Sequence, residues 1–371
     1  MNLGYYLDKF LKKNWTEEEL DKYLGPKKIA SYLGYSLDPD FRKEAASGGT
    51  TSRILVEALE QGLIDGAVLC KSVIEEGNVR ARFYIAKTRE EILAAQGSKY
   101  VATKFLAEAL PLIREFQGRL AVTGLPCDIS HLTRWMEKDT EIGPKVILKI
   151  VLVCGHNSRP QLVDGVVKKL STGVESPLTR FQFRIGHWRG TSVATYADGT
   201  RRTQSYSRFG KYQNLFYFSE KKCLACNDHF GYDADISIGD VWIYRLKKEP
   251  IKHNGILIRT PRGEELFQKI QAAKILHLER VPFQTLLDGQ ARIAPFHYNV
   301  SARVKAGEKL AIKLVDHHPE KVKWHEYLAA YLAMKNFKET EKMESADPIL
   351  AKPGWFIKLY LYFIKGLESI K

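Results

Sequence analysis

The chain has 371 residues, and 57 Lys and Arg against 43 Asp and Glu give a formal net charge of +14. With 44% hydrophobic and 27% charged residues, the composition is that of a folded protein and excludes intrinsic disorder. Five Cys in a chain of this length exclude a disulfide-dense secreted scaffold, and no apolar run reaches the ~18 residues of a membrane span. The opening MNLGYYLDKFLKKNWTEEEL carries no secretory signal, so a cytoplasmic protein is expected. The basic residues are spread along the chain and form no recognised module, so no nucleic-acid partner is expected.

Residues 1–40 read as an N-terminal helical arm. Thr16 is placed to cap a helix with Glu19 three residues on, and Gly25-Pro26 ends it. From 41 to 175, strand and helix alternate. Ser47-Gly48-Gly49-Thr50-Thr51 opens a helix with Ile54, Leu55, Ala58 and Leu59 on one face. AVLCKSV (67–73) and ARFYIA (81–86) read as strands, Phe105 to Phe116 as a helix, and LAVTG (120–124) as a short buried strand. PCDISHLTRWM follows as a helix, and VILKIVLVCG (146–155) as a long apolar strand. Such alternation predicts a largely parallel sheet, with any site at the strand C-terminal ends. From 176 to 300, RFQFRIG and TSVATYADGTRRTQSY predict antiparallel strands with a turn at Asp198-Gly199. A Cys-, Asp- and Gly-rich segment, the strand GILIRT and the helix PRGEELFQKIQAA come next, and 301–371 reads as helical. The expected class is α/β with α+β character in the middle: a mixed sheet layer with flanking helices, an antiparallel Cys-containing insertion and a helical C-terminal region.

Cysteine placement carries the chemical signal. Cys223 and Cys226 form a C-x2-C pair, Cys127 follows the strand LAVTG, and Cys154 ends the strand VILKIVLV. Four thiolates from these points suit a tetrahedral zinc or a 4Fe-4S cluster. Spacing alone leaves open a third reading, in which buried Cys act as small hydrophobes beside an incidental pair. Ser47-Gly48-Gly49-Thr50 and Gly97-Ser98-Lys99-Tyr100 pair glycines with hydroxyls and, in the second, a cation. Backbone N–H groups at such points hold phosphate or the electron-rich edge of a cofactor, and a plain turn gives the same pattern.

SGGTTSRILVEALEQGLIDGAV, GSKYVATKFLAEAL, VTGLPCDISHL, VCGHNS, FRIGHWRG, KKCLACNDHFGYDADISIGDVW and GILIRTPRGEELF occur in that order. Over roughly residues 25–290 they resemble the coenzyme F420 hydrogenase/dehydrogenase beta subunit family. The resemblance implies a flavin, FAD or FMN, beside a 4Fe-4S cluster, and electron passage between a two-electron carrier such as coenzyme F420 and one-electron centres. It implies Cys127, Cys154, Cys223 and Cys226 as cluster ligands, and Ser47, Gly48, Gly49, Thr50, Gly97, Ser98, Lys99 and Tyr100 as the flavin lining. The 41–175 region would then hold the flavin and 176–300 the iron–sulfur segment. Ferredoxin or a partner subunit would be the electron-transfer partner in an oligomer. Lys99 would stabilise the reduced, anionic flavin, and Cys70 reads as core.

His131, His156 and His187 are candidate proton donors or structural residues, and Asp228, Asp235 and Asp240 are loop caps or site residues. The chain lacks the extra N-terminal Cys-rich segment of the family's pigment reductases, and Arg184-Ile185-Gly186-His187-Trp188-Arg189-Gly190 departs from the family spacing. Two other readings stand beside the oxidoreductase: a non-catalytic electron-transfer adaptor, and a zinc-bearing structural protein. The C-terminal stretch PGWFIKLYLYFIKGLESIK is expected to be a helix that packs on its own domain, docks a partner or lies peripherally on a membrane surface.

Overall fold

The computed structural model describes residues 15–290 and 299–370, so residues 1–14 of the expected arm lie outside it. Among the described residues there are eleven strands: β1 Ala30–Ser36, β2 Gly66–Glu75, β3 Asn78–Ala86, β4 Leu120–Gly124, β5 Val146–Leu152, β6 Leu178–Ile185, β7 Thr191–Tyr196, β8 Arg201–Ser205, β9 Ile236–Asp240, β10 Asn254–Ile258 and β11 Leu276–Arg280. Eight form one sheet in the order β11-β1-β10-β9-β5-β4-β2-β3, and β6-β7-β8 form a second.

The large sheet is mixed. β2, β4, β5 and β9 run parallel at its centre, β3 returns from β2 as a hairpin, and β10, β1 and β11 are antiparallel. The expectation of a largely parallel sheet therefore holds for these four central strands. β4 is buried along its whole length, and that is why LAVTG carries no alternation. Ile54, Leu55 and Ala58 of helix Thr50–Glu60 cover one face together with Ile150, Ile236 and Ile256. Phe105, Ala109, Ile113, Ile129 and Leu132 cover the other, against Val122 and Val151.

The expected helical arm is corrected beyond residue 24. Helix Glu17–Leu24 forms with the reciprocal cap: Glu19 N–H donates to Thr16 Oγ1 at 3.2 Å and Thr16 N–H to Glu19 Oε2 at 3.0 Å. Residues 30–36 are then strand β1, paired with β10 and β11. Its sequence ASYLGYS dilutes the apolar signal with Ser and Gly, and its partners lie far along the chain. The sheet also joins strands from both sides of the division expected at 175/176. The last five residues of the Cys- and Gly-rich segment are β9, in which Ile236, Ser237 and Ile238 are buried.

The second sheet places Phe181, Phe183, Ala194 and Tyr196 against Leu162, Val166 and Val167 of helix Pro160–Leu170. Gly199 at φ +83° completes the turn between β7 and β8. After residue 299 the chain is helical: Val300–Lys309, Trp324–Thr340, Asp347–Leu350 and Gly354–Glu368.

Candidate functional site

β4 and β5 are adjacent and parallel, so their C-terminal ends bring Cys127 and Cys154 to one edge of the sheet. Cys127 is the second residue of helix Pro126–Met136, whose entry is fixed by Leu125 N–H donating to Asp128 Oδ2 at 3.1 Å. Cys154 is clamped by His229: its N–H donates to the His229 carbonyl at 3.0 Å, and its own carbonyl accepts from Nδ1 at 2.6 Å. A carbonyl only accepts, so Nδ1 carries the ring proton. Burial holds His229 neutral, down to about 4. Cys223 is the third residue of the short helix Lys221–Leu224, and Cys226 N–H closes the turn on the Cys223 carbonyl at 3.4 Å.

The four thiols feel one another. A charge on Cys154 is opposed by Cys223, Cys127 and Cys226, and a charge on Cys127 by Cys226 and Cys223. Burial is the larger cause and pushes Cys223 up to about 12 and Cys127, Cys154 and Cys226 upward, so all four hold their protons. All are free of disulfides. Among the described residues, no three His, Cys, Asp or Glu side chains stand in metal-holding geometry. The donor set nonetheless fits a thiolate-bound centre in number and burial, and a cation there would displace the four protons.

Cations surround this group. Lys222 lies near Cys127, Asp128 and Cys223; burial opposes its charge, but the Cys127 thiolate and Glu220 raise it. Arg303, 1% exposed, reaches in from helix Val300–Lys309 and donates to the Cys226 carbonyl at 3.1 Å. Burial lowers Arg303 to about 10 while Cys226 and Cys223 favour its charge.

The two glycine-bearing segments also meet. Gln96 Nε2 donates to the Phe41 carbonyl at 2.8 Å, and Arg184 binds both: Nη2 to the Ala46 carbonyl at 2.8 Å and Nη1 to the Tyr100 hydroxyl at 3.5 Å. Arg184 is 3% exposed. Burial opposes its charge, but Asp240, 2.7 Å away at the end of β9, more than compensates and pushes Arg184 up. Its guanidinium lies over Trp242, 4.9 Å from the ring centroid, and Tyr206, 5.8 Å. Lys252 Nζ donates to the Ala46 carbonyl at 2.6 Å. Desolvation lowers both Lys252 and Lys99 to about 8.

Several expected flavin residues have protein partners. A Cβ on Gly48 would stand 2.8 Å from the Gly34 carbonyl, and one on Gly49, at φ +74°, 2.2 Å from the Phe41 carbonyl. These glycines permit backbone packing and offer no open cradle. Ser47 Oγ donates to the His253 carbonyl at 2.8 Å, and Thr50 Oγ1 to Asn254 Oδ1 at 3.0 Å. Lys99 Nζ caps the end of helix Arg89–Ala94, donating to the carbonyls of Ala95, Gln96 and Gly97. Gly97, at φ +87°, leaves its Cβ direction open to 3.6 Å, with Ser98 half-buried beside it. Tyr100 joins the aromatic wall, 5.3 Å from Tyr206 and 5.6 Å from Phe183. This part, with Arg184, fits a planar anionic ligand.

One segment connects the two groups. Asn157 Nδ2 donates to the Val101 carbonyl at 3.1 Å, next to Tyr100, while the Asn157 backbone N–H faces the Cys223 sulfur. Sequence reasoning gave no role to Arg184, Lys252, Trp242, Asn157 or Arg303. Asp228 and Asp235 are structural: Asp228 accepts from Gly231 and Tyr232 N–H at 2.6 and 3.0 Å, and Asp235 from Lys149 N–H at 2.8 Å and Thr260 Oγ1 at 2.7 Å. His156 is buried against Phe216 and His187 binds the Lys247 carbonyl at 2.9 Å, while His131 is exposed.

The sheet and its strand-end chemistry define a mixed α/β protein with a buried thiol centre beside an aromatic, cation-lined site. Residues 31–110 and 117–282 match the N-terminal and C-terminal parts of the coenzyme F420 hydrogenase/dehydrogenase beta subunit. The chain belongs to this family.

It is 27% identical over 263 residues to the coenzyme F420 hydrogenase subunit beta of Methanosarcina barkeri, covering 68% of this chain and 81% of that one. It is 25% identical over 253 residues to the coenzyme F420-dependent sulfite reductase of Methanocaldococcus jannaschii, covering 64% of this chain and 37% of that one. A chain of the F420-reducing NiFe hydrogenase complex from Methanosarcina barkeri shares the fold, with a TM-score of 0.61 at 21% identity, covering 78% of this chain and 97% of that chain.

Proposed function

We propose that this protein is a flavin- and 4Fe-4S-dependent oxidoreductase that passes electrons between coenzyme F420, or a similar two-electron carrier, and a one-electron partner such as ferredoxin or a second subunit. The observation that carries the reading is the approach of four thiols from three chain segments, Cys223 buried and the other three half-buried, near the C-terminal edge of β4 and β5. The names of the relatives supply coenzyme F420 as the carrier class.

Cys127, Cys154, Cys223 and Cys226 would hold the cluster, and Gly97, Ser98, Tyr100 and Arg184 would line the flavin, with Ser47, Gly48, Gly49 and Thr50 fixing the wall behind. The flavin would supply exchange between paired and single electrons. Arg184, kept charged by Asp240, orients an anionic ring edge without needing water to screen it. Arg303 and Lys222 offset the negative charge of four thiolates, and fixed N–H donors such as that of Asn157 do the same at Cys223. Lys99 stays on its helix carbonyls and shapes the loop.

The test is anaerobic purification with iron, sulfide and flavin analysis, followed by a screen of coenzyme F420, nicotinamides and reduced ferredoxin. Iron, sulfide and a flavin released on denaturation are expected. A colourless protein carrying zinc and no flavin would overturn the proposal in favour of a structural role.

A further inference from the structure

Helix Gly354–Glu368 is divided lengthwise. Ile357, Ile364 and Leu367 are buried in the core that also holds Phe209 and Ala329, Tyr360 Oη donates to Asn336 Oδ1 at 3.2 Å, and the Leu367 carbonyl accepts from His325 Nδ1 at 2.9 Å. This anchors one side. The other side presents Trp355, Phe356, Leu359, Tyr362, Phe363 and Ile370, with Trp355 67% and Leu359 61% exposed. At 100° per residue the five of these within the helix fall on one arc, with Ile370 just past its end, and Gly366 on the same arc has nothing near its Cβ direction.

The arc is rimmed by positive charge. Lys358 is exposed along one border. At the N-terminal end Lys211 Nζ donates to the Gly354 carbonyl at 3.4 Å, and burial first, then the nearby Arg208 and Lys169, lower its pKa. At the other end Trp324, 68% exposed, stands beside His325, with Lys321 and Lys323 exposed before it. The helix carries a single acidic residue, Glu368, half-buried outside the aromatic arc.

We infer that this face is a docking surface for a lipid bilayer containing anionic headgroups. Two observations favour a bilayer. The composition of the face is Trp, Tyr and Phe over aliphatic residues, which suits the boundary between headgroups and acyl chains. Its border is cationic, with the acid turned away, which complements an anionic leaflet. No described helix is long and apolar enough to cross a membrane, so the helix would lie in the interface plane. Anchored there, the enzyme would meet its electron partners at the membrane surface.

The experiment is co-sedimentation of the full chain with vesicles of equimolar phosphatidylglycerol and phosphatidylcholine, and with phosphatidylcholine alone. Binding to the first and little to the second is expected. The double variant Trp355→Ala/Phe363→Ala alters exposed side chains only, so it should keep its thermal midpoint and lose most of the bound fraction. Lys358→Gln should bind about fivefold more weakly to the anionic vesicles. No sedimentation, equal sedimentation with neutral vesicles, or unchanged binding by the double variant would overturn the inference. A soluble oligomer that the double variant dissociates, without vesicle binding, would overturn it and assign the arc to a second copy of the chain.

Discussion

Burial has opposite outcomes at the two halves of the site. Around Cys127, Cys154, Cys223 and Cys226 it keeps the groups uncharged, because each thiolate would face low polarity and its neighbours. Around Arg184 the charge survives burial, because Asp240 stands 2.7 Å away and the Ala46 carbonyl takes another N–H. The thiol half must give up protons to work, so its charge is set by what binds. The arginine half is charged before anything arrives. Removing one side chain therefore has different consequences in each.

The largest stability effect is expected at the arginine. Asp240→Ala leaves a buried guanidinium uncompensated and should cost about 3 kcal/mol, discounted from the upper range because Asp240 is partly exposed. Asp240→Leu combined with Arg184→Met should recover much of that in denaturant unfolding; equal loss in the double variant would remove the ion pair from the comparison. Gly49→Val comes next, at about 2–3 kcal/mol, because it adds a left-handed strain to a collision with the Phe41 carbonyl. A melting curve unchanged from the parent would show that the glycine has room it is not seen to have.

At the thiols, Cys223→Ala should cost only about 1 kcal/mol in the metal-free chain, yet remove or degrade the iron signal. Cys70→Ala, outside the group, should keep full iron. Iron content that ignores Cys223 but follows Cys70 would reverse the assignment.

The smallest effect is in pH. Lys252 and Lys99 are lowered to about 8, so they are cationic below that pH and neutral above it. Affinity for an anionic flavin should fall as Lys252, which stands beside Arg184, loses its charge above about 8. Stability should move the other way: the folded state prefers the neutral lysines, so it gains between about 8 and the unfolded value near 10.4. Flavin titrations and thermal midpoints on both sides of that pH read the two signs. Parallel trends would show that these lysines do not govern binding.

Legibility in the sequence followed how local each cause was. LAVTG and VILKIVL, the second interrupted only by Lys149, announce buried central strands by apolar runs without alternation, and the Cys that follow them are placed at strand ends from that alone. β1 was hidden because ASYLGYS becomes a strand only through β10 and β11, more than two hundred residues away. Gly48 and Gly49 were visible as glycines, but the carbonyls of Gly34 and Phe41 that require them were not. Nothing in FRIGHWRG marks Arg184 as a buried charge. Its burial comes from packing the second sheet against the end of β9, and that contact leaves no mark in either segment.

The helices after residue 299 have a consequence for modularity. Ala302, Ala306 and Met334 pack with Phe216 and Leu224, Asn336 Nδ2 donates to the Leu215 carbonyl at 3.0 Å, and Phe218 N–H donates to Thr340 Oγ1 at 2.9 Å. Together with Arg303 on the Cys226 carbonyl, these contacts make the back wall of the C-x2-C turn from a part of the chain that lies beyond the family match at 282. The cysteine segment and the terminal helices therefore pack as one unit, and cutting the chain after residue 299 would strip that wall from the Cys226 turn.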